Sequence, residues 1–136
     1  MTQVKVFKTE LLEHTANMLK DAGLKVYYSA NKDGEIDSPV TYFNFTDGVN
    51  IGYCQDNYFG GVRFSTVHRP NKSTGTGFSL RDYMVGLFEP TLQDAKAAFI
   101  SAPNWATVND RASVTKYKNW DEYAAKESHW GTFIEY

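Results

Sequence analysis

The stretch 24-LKVYYSANKDGEIDSPVTYFNFTDGVNIGYCQDNYFGGVRFSTVH-68 decides the fold. Residues 24–30 alternate apolar and polar side chains at the two-residue period of a strand, and Asn31-Lys32-Asp33-Gly34 follows with turn chemistry. Residues 39–46 read as a second strand, and Asp47-Gly48 is a strong hairpin signal joining it to a third at 49–55. Asp56-Asn57 with Gly60-Gly61 predicts a further turn. After it, Val62, Phe64, Thr66 and His68 alternate with Arg63, Ser65 and Val67 as a fourth strand. Four strands in succession, joined by short turns, predict an antiparallel meander.

Toward the N-terminus, Val4, Phe7, Leu11, Met18, Leu19 and Ala22 recur at helical spacing and Gly23 follows as a stop signal, so residues 3–22 are predicted to form an amphipathic helix. Downstream, residues 69–77 (RPNKSTGTG) contain no apolar side chain and read as a loop. Ser79 with Asp82 resembles a capping box and predicts a short helix over 80–88, interrupted by Pro90. Thr91 with Asp94 repeats the signal ahead of a helical face of Leu92, Ala95, Phe99 and Ala102, which Pro103 closes. Asn119 and Glu122 cap a last short helix at 120–127, between β-leaning stretches at 114–117 and 132–136. No repeat or linker interrupts the pattern. The predicted class is α+β: one domain over residues 1–136, with an N-terminal helix packed on a four-stranded or larger antiparallel meander and short helices in the C-terminal half.

A chain of 136 residues can bury about two-thirds of its unfolded surface, and its 15% aromatic content supplies large side chains suited to pleated surfaces. The formal charge of −2 is too small to imitate a phosphate backbone or to attract one globally. Cys54 is the only cysteine, which excludes an intrachain disulfide and a multi-cysteine metal site and fits a reducing compartment. The start of the chain lacks the pattern of a secretory leader, and no run of about 18 apolar residues occurs. A cytoplasmic protein without a membrane partner is expected.

The charge is unevenly placed. Between Asp56 and Asp82 there is no acidic residue, while Arg63, His68, Arg69, Lys72 and Arg81 all fall in that window. Strand alternation sets Arg63 on the face opposite Phe64, toward solvent. The loop 69–77 adds hydroxyls, glycine-permitted backbone amides and two cations, a kit for holding an anion or an acidic partner. It lacks the ending of a P-loop. Aromatic residues, Tyr58 and Phe59 among them, interleave with these cations, as they do where bases stack and phosphates are tracked. Arg63, His68, Arg69, Lys72, Arg81, Tyr58 and Phe59 are therefore the candidate binding residues. An ordinary long hairpin loop on a solvated basic strand accounts for the same residues without any function.

Catalytic patterns are sparse. His14, His68 and His129 lie in separate elements, with no zinc-ligand spacing among them. Cys54 and His68 could be brought together on adjacent strands as a nucleophile pair, but a cysteine in an apolar strand is more often an inert core thiol. His68 beside Arg69 could serve acid–base chemistry on a phosphoester, yet a second histidine in tandem is missing. No catalytic residue, metal site or cofactor is expected.

The segment 60–78, GGVRFSTVHRPNKSTGTGF, resembles segments of small accessory proteins of bacteriophages and related mobile elements. That resemblance implies a non-enzymatic protein that occupies a host defence complex, as anti-CRISPR and anti-restriction proteins do. The near-neutral charge departs from the DNA-mimic form of that strategy. The expected function is binding or inhibition of a host protein or ribonucleoprotein complex, with the residues from Arg63 to Arg81 as the contact. A single-stranded or double-stranded nucleic-acid binder comes second and a small phosphoester-acting enzyme third. A homodimer through the aromatic edge at 130–136 is a further expectation.

Overall fold

The computed structural model describes residues 5–57, 60–66, 87–97, 119–127 and 131–136. Within them the fold is α+β: an N-terminal helix lies on a five-stranded antiparallel sheet, with short helices in the C-terminal half. The elements are α1 (Glu10–Asp21), β1 (Lys25–Ala30), β2 (Tyr42–Thr46), β3 (Ile51–Asp56), β4 (Val62–Thr66), α2 (Trp120–Glu127) and β5 (Thr132–Glu135), and residues 92–97 are also helical. The sheet order is β4-β3-β2-β1-β5. The four predicted strands form the meander, and the C-terminal stretch adds a fifth beside β1, where Tyr28 faces Ile134 and Ala30 faces Thr132. Among the described residues no helix is long and apolar enough to cross a membrane.

Helix α1 begins later than its periodicity predicts. Phe7 sits at a helical spacing from Leu11, yet it lies in extended chain and bridges Val40 in parallel, with Lys8 N–H donating to Val40 C=O and Val40 N–H to Val6 C=O. Thr9 starts the helix. Its backbone is extended, and its Oγ1 accepts from Leu12 N–H at 3.1 Å while donating to Asp56 Oδ1 at 2.8 Å, so one hydroxyl caps α1 and ties it to the end of β3. Glu10 and Glu13 suit the positive N-terminal end of the helix dipole and Lys20 the negative end. Leu12, Thr15, Ala16 and Leu19 form the buried stripe. The Thr15 hydroxyl donates to Leu11 C=O at 2.7 Å, so its burial leaves no unpaired donor.

The stripe packs on one face of the sheet. Val26, Phe43, Phe45, Cys54, Val62 and Phe64 are fully buried there with Phe7 and Ala95. The aromatic rings meet edge to face: Phe7 on Phe43 at 5.6 Å, Phe43 on Phe45 at 6.3 Å and Phe45 on Phe64 at 5.8 Å. Gly52, the cross-strand partner of Phe45, leaves the room its ring occupies. Tyr136 closes the core from the C-terminal side, edge-on to Phe7 at 4.7 Å, with its hydroxyl donating to Asn17 Oδ1 and Lys20 Nζ 4.8 Å above its ring.

The turns use the chemistry predicted for them. Asp47 Oδ1 accepts from the N–H groups of Val49 and Asn50, Thr46 Oγ1 accepts from Gly48 N–H, and Gly48 takes a φ of 105°. Val49, predicted to open the third strand, is 62% exposed in this loop instead. Gly60 and Gly61 both adopt positive φ in the next turn, where Asn57 Nδ2 donates to Gly60 C=O. The Thr91–Asp94 box forms reciprocally, with Thr91 N–H on Asp94 Oδ2 and Asp94 N–H on Thr91 Oγ1, and Asn119 Oδ1 caps Glu122 N–H. The helix predicted over 80–88 does not reach its end. Leu87 bridges Val62 through both backbone groups, at 2.9 and 3.0 Å, and residues 80–86 lie outside the described residues.

Candidate binding face

Alternation along the strands places a second set of side chains on the face opposite α1. The register aligns them in rows: Tyr42 faces Gln55, which faces Arg63, and Asn44 faces Tyr53, which faces Ser65. Side chains on one face touch directly across strands and diagonally to the next row. Tyr42 and Tyr53 are such a diagonal pair, with ring centroids 5.2 Å apart and planes at 34°. Tyr42 Oη donates to Ser29 Oγ at 3.3 Å, extending the polar row onto β1.

Arg63 stands at the β4 end of this face, as its alternation with Phe64 predicts. Its Nε donates to Gln55 Oε1 at 3.0 Å and its Nη2 donates to the same oxygen. The guanidinium is thereby anchored to Gln55, half-buried, near Tyr53. Burial pushes the Tyr53 hydroxyl up to about 12, and the Arg63 charge pulls in the opposite direction without overcoming it. The neutral phenol is the form the fold holds.

At the β1–β5 end the face has the opposite character. Trp120, the first residue of α2, stacks on Tyr27 at 4.2 Å and meets Phe133 edge-on at 5.1 Å, while Tyr123 packs on both Trp120 and Phe133. Trp120 N–H donates to Gly48 C=O, so the β2–β3 turn seats the helix. The Tyr27 hydroxyl is raised by burial and then by the charges of Glu135 and Asp121. The face thus runs from carboxylates beside a covered aromatic cluster to a cation beside a tyrosine pair.

Of the sequence-derived candidates, Arg63 is the one the described residues contain. Tyr58, Phe59, His68, Arg69, Lys72 and Arg81 lie outside them. Arg63 is at the root of the segment that carries His68, Arg69, Lys72 and Arg81, because β4 ends at Thr66 and the chain returns at Leu87 to bridge Val62. Sequence reasoning counted Tyr53 among the aromatic residues interleaved with the cations but kept Tyr42, Tyr53 and Gln55 out of the candidate residues, although strict alternation from Phe43, Phe45 and Cys54 places all three opposite the core.

Of the catalytic alternatives, the described residues contain Cys54 but neither His68 nor Arg69. Cys54 is fully buried, and burial together with the Asp56 charge drives its thiol well above its ordinary range, away from the nucleophilic thiolate. His14 is exposed on α1. No group of three or more His, Cys, Asp or Glu side chains that could hold a metal ion occurs among the described residues. No family model matches the chain, and neither a curated protein nor a solved structure matches it.

Proposed function

We propose that this chain is a non-enzymatic binding protein that inhibits a host protein or ribonucleoprotein complex, an anti-defence protein of the anti-CRISPR kind carried by a phage or mobile element. Its contact is the β4 side of the sheet, with Arg63 at the root and the basic residues Arg69, Lys72 and Arg81 beyond it. The supporting observation is the seating of Arg63, whose guanidinium is fixed by Gln55 on the face away from α1, beside the Tyr42–Tyr53 pair. An arginine on the same face as aromatic rings is the composition in which binding energy concentrates at interfaces. The resemblance of residues 60–78 to phage accessory proteins supports the setting, and the acid-free window 57–81 supports an acidic counterpart.

The test is affinity capture from a bacterial host lysate. Wild-type protein is compared with a variant carrying Arg63→Gln, Arg69→Gln, Lys72→Gln and Arg81→Gln, both confirmed folded by circular dichroism. The expected result is one complex retained by the wild type and lost by the variant. An identical partner set for the two proteins overturns the reading.

A further inference from the structure

We infer that the Tyr42–Tyr53 pair with Arg63 is a stacking site for single-stranded nucleic acid, the component that the proposed complex would present to this face. The inference rests on the functional reading above and names what the face touches. Three observations carry it. The two rings are diagonal neighbours on the central strands, 5.2 Å apart and tilted by 34°, and each is half-buried, as in platforms where a base extends a stack that the protein begins. Arg63 is oriented by its two bonds to Gln55, and its positive charge reaches the Tyr53 hydroxyl one diagonal away. The polarity of the face sets a direction, because the carboxylates of Glu135 and Asp121 lie by Tyr27 at the far end, next to rings already covered by α2. A phosphate is favoured at the β4 end and disfavoured at the β5 end.

A duplex fits this face less well than a single strand. Paired bases present their edges rather than their planes, and among the described residues the sheet face offers rings, amides and a guanidinium in place of a helix that could enter a groove. Recognition by stacking is tolerant of sequence, so the expected ligand class is an unpaired segment of RNA or DNA.

The test is fluorescence anisotropy of the purified full chain with labelled 12-nucleotide oligo-dT and oligo-U, and with a duplex of the same length. Single strands are expected to bind more tightly than the duplex. Tyr53→Phe keeps the ring and should lose less affinity than Tyr53→Ile, while Tyr53→Ile and Tyr42→Ile remove a ring each and should weaken binding by about 5- to 100-fold. Arg63→Gln should flatten the dependence of log affinity on log salt by roughly 0.7, the value of one phosphate on a single strand. Thermal melts confirm that each variant is folded. Absence of binding by the wild type, preference for the duplex, or loss of binding in Tyr53→Phe equal to that in Tyr53→Ile overturns the inference. Lysate capture that persists after nuclease treatment, with no oligonucleotide binding, sinks the stacking site and leaves the protein-binding reading intact.

Discussion

Tyr53 shows how one residue reports on its face. Its phenol ionises only near 12 because burial penalises the anion more than Arg63 favours it. The sign of the consequence follows from the raised value. The unfolded phenol titrates near 10, so the contribution of neutral Tyr53 to stability is complete below about pH 10 and is lost as pH rises toward 12. Tyr27 is raised in the same direction. Urea denaturation between pH 8 and 11.5 is therefore expected to show falling stability above pH 10, with a smaller fall in Tyr53→Phe. Equal alkaline profiles for the two proteins would mean that Tyr53 is not the responsible group. Arg63 was legible at this scale from alternation alone, since Phe64 has to face the core. The tyrosine pair was harder to single out: alternation puts both rings opposite the core, but it does not say that Tyr42 and Tyr53 meet across the strands, which depends on the register.

Among the elements, β3 is the most constrained. Its Gly52 lies under the Phe45 ring, and a methyl group at that position would fall inside the ring's volume. Gly52→Ala is expected to destabilise the protein by about 1–3 kcal/mol, the range for overpacking a filled core, read as a lower urea midpoint with an unchanged slope. The double variant Gly52→Ala with Phe45→Leu should recover part of that loss, since the smaller side chain vacates the space. Additive losses would show that the ring is not the obstacle. The meander was readable at the element scale because period-two alternation and turn residues are local signals. The start of α1 was not. Phe7 keeps helical spacing while its neighbours are bonded to Val40, a partner that only the folded chain brings near.

At the scale of the whole molecule, the two ends of the described chain meet over the core. Tyr136 touches Phe7, Asn17 and Lys20, and its N–H donates to Val26 C=O. Tyr136→Ala is expected to cost about 2 kcal/mol, less than truncation of a fully buried aromatic because the ring is half-buried. Calorimetry should register it as a fall of several degrees in Tm, and an unchanged Tm would show that the ring closes nothing. The α+β class was legible from the order of the elements. The site of β5 was not, since Thr132–Glu135 reads as a strand without naming its neighbour, and its partner β1 lies over a hundred residues earlier.

That pairing also imposes an order in time. Strands β1 to β4 and helix α1 lie within the first half of the chain and can associate through short connections, whereas β5 has to close a loop of most of the protein before it meets β1. During synthesis the outer edge of β1 therefore lacks its β5 partner until residues 132–135 have left the ribosome.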